Sequence, residues 1–266
     1  MTRIVLGVQY IGTGWNGYQK QPERNTVQDR LEMALEKFAC TPLATTCAGR
    51  TDTGVHAIEQ VVHFDTDLVR PTQAWVRGVN TFLPDSIVVR WAKEVPLGED
   101  GLEFHARFSA RSRTYHYVLY NHPTPSALLS NRAGWMFRPL DVERMIDAAR
   151  HLIGTHDFSA FRASSCQAKT PVKDMHEVRI ERHGDIIVFT LRASAFLHHM
   201  VRNIVGSLVY VGLGRQEPDW MHEVLESRSR DVAAPTFMPD GLYFAKIESD
   251  PIWKLPQEVV APLPWL

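Results

Sequence analysis

Apolar positions follow two rhythms along this chain. Residues 3–10 place Ile4, Leu6, Val8 and Tyr10 two apart, the spacing of one face of a strand. Residues 27–39 place Val27, Leu31, Ala34, Leu35 and Phe38 three or four apart, the spacing of one face of a helix, with Asn25 or Thr26 placed to cap it. Read in this way, the first half predicts a strand (3–10), a helix (27–39), strands at 43–47 and 58–65, a helix opened by Pro71 (71–82) and a strand (87–95). The second half predicts a strand (111–120), a helix (141–153), strands at 172–182 and 186–193 about the His183-Gly184-Asp185 turn, and a helix (196–211). A short helix (219–226) and a strand (242–248) follow. Each half therefore reads β-α-β-β-α-β, the split βαβ pattern. The predicted class is α+β: two such halves joined in an extended, mostly antiparallel sheet, with helices on one face and a central cleft. The expected division is 1–104, 105–250 and a Pro-rich tail at 251–266.

Between the predicted strands 43–47 and 58–65 lies Gly49-Arg50-Thr51-Asp52-Thr53-Gly54-Val55-His56-Ala57. Glycines let such a loop take positive φ and let another backbone approach closely. An arginine two residues before a carboxylate favours its charged form. An ionised, oriented carboxylate can serve as nucleophile or general base. The plainer alternative is an Asp that caps a turn with Arg50 as its surface ion pair.

Composition narrows the classes. A chain of 266 residues, 44% hydrophobic, can bury one large core or two modest ones. No apolar run approaches the roughly 18 residues of a membrane span, and the N-terminal residues read as a strand rather than a signal peptide. Cys40, Cys47 and Cys166 lack paired metal spacing and read as reduced thiols of a cytoplasmic protein. A net charge of −1 argues against nucleic acid until the distribution is considered. No acid occurs from His105 to Pro139, which holds Arg107, Arg111, Arg113, Arg132 and Arg138. Acid-free stretches recur at 158–173, with Arg162, Lys169 and Lys173, and at 186–216, with Arg192, Arg202 and Arg215. Phosphate binding needs local positive potential rather than a high overall pI. Phe108, Tyr115, Tyr117, Tyr120, Trp135 and Phe137 interleave with these arginines, which suits RNA whose bases can stack.

The Asp52 string resembles the active-site motif of the tRNA pseudouridine synthase A family. Other segments match in the same order: Asn80-x-x-Leu83-Pro84, His105 to Ala110, Arg113-x-Tyr115-x-Tyr117, and Phe196 to Gly206. The resemblance covers roughly residues 3 to 248. It implies a cytoplasmic homodimer that isomerises uridine at positions 38, 39 and/or 40 of tRNA, without cofactor, metal or membrane. It places the catalytic carboxylate on Asp52, the active-site tyrosine on Tyr115 and the arginine that pairs with the carboxylate on Arg202. Arg50 joins Tyr115 and Arg202 as a substrate-binding residue, and Arg107, Arg111, Arg113, Arg162 and Lys169 are the RNA-binding candidates. The reaction breaks the C1′–N1 bond, turns the freed uracil and joins C1′ to C5. One carboxylate can start it by attacking the sugar or the base ring, or by taking a sugar proton. The base must leave its stack, at a cost of a few kcal/mol, and a dry pocket must hold it while it turns. Val55, Leu197 and Leu242 are candidates for that lining.

The chain departs from the family pattern at Ile11, Tyr18 and Thr53, where Asp, Trp and Ala are usual. These positions bear on RNA contacts rather than on the proposed catalytic groups. Two rivals remain. A hydrolytic metal held by His198-His199 with His56, His63 and Asp52 is opposed by the spacing, since adjacent residues on a helix point about 100° apart. A non-catalytic tRNA-binding chaperone would share the charge pattern, but has no need of a carboxylate that repels phosphate. On the predicted helix opened by Phe196, Arg202 falls one turn beyond His198 and on the same face.

Overall fold

The computed structural model describes residues 1–95 and 103–256. Among them are ten strands and five α helices, a mixed α+β chain with mostly antiparallel strand pairing. Two compact units divide it: Met1–Arg111 with the described residues from Phe244 on, and Ser112–Tyr243. Residues 257–266 of the Pro-rich tail lie outside the described residues. No helix of the described residues is long and apolar enough to cross a membrane.

In the first unit the strand order is β4 (Ile87–Val95), β1 (Thr2–Tyr10), β3 (His56–Thr66) and β10 (Leu242–Ser249, whose last six residues belong here). A two-residue strand, β2 (Thr46–Cys47), pairs with β3. Strands β1 and β3 run antiparallel, with Ile4 opposite Phe64 and Leu6 opposite Val62, all buried. Helix α1 (Val27–Ala39) begins where the periodicity predicts, and Thr26 is its cap: the hydroxyl accepts from Asp29 N at 3.2 Å and donates to the Asp29 carboxylate at 2.6 Å. Gln28 and Glu32 on α1 hold the backbone at Thr45, the former through Thr45 O at 3.0 Å and the latter through Thr45 N at 2.8 Å. Thr45 is thus bound to helix side chains, and the predicted strand at 43–47 shrinks to β2. Helix α2 (Thr72–Asn80) follows Pro71.

The second unit orders β5 (Ala110–Asn121), β9 (Ile186–Ala193), β8 (Val172–His183) and β7 (Gly154–Asp157), with β6 (Gly134–Met136) parallel to β5. Tyr115 stands opposite Leu191 and Tyr117 opposite Phe189. The helices are α3 (Val142–Ala149), α4 (Met200–Gly212) and α5 (Trp220–Ser227). Helix α3 is shorter than predicted because the chain tightens into a 3-10 turn at Arg150–Leu152. Strands β6 and β7 carry no alternating apolar pattern and were not predicted.

The helix predicted at 196–211 starts four residues late. His199 sits at φ +62°, outside the helical region, and the His198 carbonyl accepts from Ala163 N at 3.0 Å. Residues 196–199 therefore precede α4. His198 and His199 are therefore not 100° apart on a helix, nor does His198 share a helical face with Arg202: the two imidazoles lie 4.0 Å apart, centroid to centroid.

Strand β3 leaves the Asp52 loop at His56 and is anchored further on by a charged cluster. Arg3 binds both Asp65 oxygens at 2.7 and 2.8 Å and the Phe104 carbonyl at 2.6 Å. Beside it, His63 accepts from Ala106 N through Nδ1 at 3.1 Å. Burial, with the nearby charges of Arg3 and His105 against the weaker opposite pull of Asp65, pushes His63 down to about 4. The sign follows. Between pH 6.5 and about 4 the unfolded chain binds a proton at this imidazole and the folded chain does not, so stability falls as pH falls through that window. The drop in urea midpoint from pH 7 to 4.5 is expected to be smaller in His63→Gln than in the parent; an equal drop contradicts the assignment.

Candidate active site

The Asp52 loop is built from the backbone outward. Ala48 N donates to Val61 O at 2.8 Å, and the Gln60 amide closes on Gly49 from both sides, donating to Gly49 O at 2.6 Å and accepting from Gly49 N at 3.3 Å. Beyond this point Asp52 opens a β-turn, closed by Val55 N to Asp52 O at 3.1 Å. Gly54, the third residue of the turn, has φ +80°, which an L side chain rarely adopts. A turn of this kind is set by its own sequence.

What fixes its position is the last residue of β1 and the segment after it. The Tyr10 hydroxyl and the Thr51 hydroxyl are hydrogen-bonded at 2.8 Å, both residues buried. Burial raises the Tyr10 pKa well above its ordinary value, so the phenol keeps its proton. Tyr18 N donates to Thr51 O at 3.0 Å, and Gly12 N donates to His56 Nδ1 at 3.0 Å. An accepting Nδ1 leaves the His56 proton on Nε2. The close approach requires Gly12: a Cβ there would lie 2.0 Å from the Val55 carbonyl oxygen. The clamp is tied in turn to α1, since Val27 N and Gln28 N donate to the carbonyls of Gly17 and Tyr18. Asp52 itself is half-buried and Arg50 is exposed. Their carboxylate and guanidinium sit on a backbone held at Gly49, Thr51, Val55 and His56.

In the second unit, Tyr115 is buried on β5 with Phe196 packed edge-on at 5.0 Å. Tyr117 is wholly buried, and its hydroxyl donates to the Met238 carbonyl at 2.9 Å. The fate of Tyr117 is packing. Arg202, near the start of α4, is half-buried, and its Nε donates to the Phe237 carbonyl at 2.8 Å. That partner, thirty-five residues away, leaves no local signal in the sequence.

The basic candidates divide by occupation. Arg107 is exposed and lies over the ring of Phe108, itself 76% exposed. Lys169 is also exposed. Arg111 is exposed but paired with Asp250. Arg113 donates to the Ser194 carbonyl at 2.9 Å, and Arg162 donates to those of Cys166 and Ala168 at 2.6 and 3.1 Å. The last two therefore already brace the second unit. Val55, Leu197 and Leu242 are buried. Cys40, Cys47 and Cys166 carry free thiols, and burial pushes Cys47 up to about 11. Of the histidines proposed as metal ligands, His56 and His63 already use Nδ1 as an acceptor from backbone N–H, and His198 Nδ1 lies 3.1 Å from the Ser165 hydroxyl.

The first unit thus carries the half-buried Asp52 carboxylate on a clamped turn, with exposed Arg50 two residues before it. The chain belongs to the tRNA pseudouridine synthase family, whose sequence model matches residues 7–109 and 148–249, and is with it an isomerase. It is 65% identical over 264 residues to the tRNA pseudouridine synthase A of Janthinobacterium sp. (strain Marseille), covering 99% of this chain and 97% of that one. It is 64% identical over 264 residues to that of Herminiimonas arsenicoxydans, covering 99% and 95%. It is 58% identical over 265 residues to that of Paraburkholderia phytofirmans, covering 100% and 96%.

The clamp makes a stability prediction independent of chemistry. Gly12→Ala forces a methyl against the Val55 carbonyl and is expected to cost about 1–3 kcal/mol in urea unfolding. An unchanged midpoint contradicts the close packing of the two segments.

Proposed function

We propose that this chain isomerises uridine to pseudouridine in tRNA, with Asp52 as the essential carboxylate and the anticodon-stem positions 38, 39 and/or 40 as targets. The observation that carries the reading is the clamped turn: hydrogen bonds from both sides fix the backbone of the residue at the family's catalytic position, while its side chain stays half-exposed. A carboxylate fixed in this way loses little freedom when it meets a reacting atom. Its first step is attack on the sugar, attack on the base ring, or removal of a sugar proton. In each, the C1′–N1 pair passes to uracil, C5 then bonds C1′, and the C5 hydrogen leaves as a proton. The overall change is an isomerisation, so the balance calls for neither redox cofactor nor metal.

By the same family correspondence, Tyr115 is assigned to the target base, and Arg202 to the catalytic carboxylate as its charge partner. Arg50 holds substrate beside the turn. Exposed Arg107 and Lys169 suit phosphate contacts directly. Arg111, Arg113 and Arg162 offer only the charge that their protein partners leave unused. The working form in this reading is a cytoplasmic homodimer on tRNA, which sedimentation of the protein with and without tRNA would test.

The decisive experiment uses tRNA with tritium at uridine C5, with EDTA present or absent. The wild type is expected to release tritium equally in both, and Asp52→Asn to be slower by at least about 100-fold. Loss of release only with EDTA would overturn the metal-free reading. A folded wild type that binds tRNA but releases nothing would restore the chaperone.

A further inference from the structure

Helix α4 holds a polar network that the chemistry above does not use. Asn203, the residue after Arg202, is fully buried. Its amide nitrogen donates to the Phe161 carbonyl at 2.8 Å. Its amide oxygen accepts from the Thr236 hydroxyl at 2.7 Å and from the Arg230 guanidinium at 3.2 Å. Arg230 also donates to the Thr236 hydroxyl oxygen and to the Ala233 carbonyl, both at 3.2 Å. One turn along α4, the buried Ser207 hydroxyl donates to Asn203 O at 3.0 Å and accepts from Ala234 N at 3.3 Å. The segment 233–237 is thereby sewn onto the helix through side chains at two levels.

The sewing ends at Arg202. Immediately after Thr236, Phe237 N donates to the Arg202 carbonyl at 3.2 Å, and the Phe237 carbonyl accepts from Arg202 Nε at 2.8 Å. An arginine side chain has many rotamers, and fixing one end of its planar fork limits where the other donors can aim. We propose that Thr236, held by buried Asn203 and by Arg230, is a positioning residue for Arg202, setting its guanidinium through the Phe237 carbonyl. The physical case is asymmetric. A plain surface strap could be fastened by apolar contact, whereas a buried amide with three side-chain and backbone partners is costly unless every bond is made. Those bonds hold Thr236, the residue immediately before the Phe237 carbonyl. The inference rests on Arg202 acting in the reaction.

The test is a mutant cycle read by tritium release at saturating and limiting tRNA. Thr236→Val keeps the shape and removes the hydroxyl. It is expected to lower kcat by about ten- to a hundredfold, as misplacement of a catalytic-site group by about 1 Å does, with KM changed less than about twofold. Thr236→Ser, which restores the hydroxyl, is expected to recover most of the loss. In an Arg202→Ala background, Thr236→Val is expected to cost almost nothing further. A full additional loss in that background, or a change confined to KM and thermal stability, overturns the positioning role. Arg202→Ala turning over at the wild-type rate removes Arg202 from the reaction, and this inference with it. That outcome is separable from the first, because it appears before Thr236 is touched.

Discussion

The reading of Asp52 depends on one clamp: its turn cannot shift without breaking bonds to the end of β1 and to the segment that follows. Four contacts make it, from Tyr10, Gly12 and Tyr18 on one side to Thr51, Val55 and His56 on the other. None is individually large, since a net hydrogen bond contributes about 0.5–1.5 kcal/mol. Their strength is joint. The Tyr10–Thr51 bond is buried, Gly12 admits no side chain, and the Gly17–Tyr18 end is fastened to the first turn of α1. Helix α1 in turn holds Thr45, so the chain entering the loop and the chain bracing it share one support. A catalytic carboxylate needs this, because its advantage over a free carboxylate in water lies in being held where the reaction needs it.

In the second unit a side chain is held by other means. Arg202 lies near the start of a helix whose preceding residues are not helical, and its guanidinium is steadied by a main-chain carbonyl from a distant segment. Tyr115 and Tyr117, two residues of one strand face, have different surroundings. Tyr117 spends its hydroxyl on Met238 in a fully buried setting, while Tyr115 lies beside Phe196 at the approach to α4.

Much of the frame was legible because it is local. The span of α1 follows from its apolar stripe and its Thr26 cap, and β1 and β9 from their apolar runs. The Asp52 motif was legible as a family string, and its Gly54 as a turn residue. The rest is non-local. The start of α4 was misjudged because His199 takes a left-handed conformation and the His198 carbonyl turns to Ala163, neither of which alters hydrophobic periodicity. Strand β7 (Gly-Thr-His-Asp) exists by pairing with β8, not by its own composition. The clamp partners of Thr51, Tyr10 and Tyr18, lie 41 and 33 residues away, and Phe237 lies 35 from Arg202. The partners of the basic side chains are partly non-local too: Arg113 binds the Ser194 carbonyl, eighty-one residues on, whereas Arg162 binds that of Cys166.

The central claim is that the carboxylate on this clamped turn converts uridine in tRNA. Its most direct test is to map the product: unmodified tRNA is incubated with wild type or Asp52→Asn, treated with carbodiimide to tag pseudouridine, and read by reverse transcription. Stops arising from position 38, 39 or 40 with the wild type, and none with the variant at equal tRNA occupancy, are the predicted result. Equal stops with both proteins, or wild-type stops only outside the anticodon stem-loop, would contradict it.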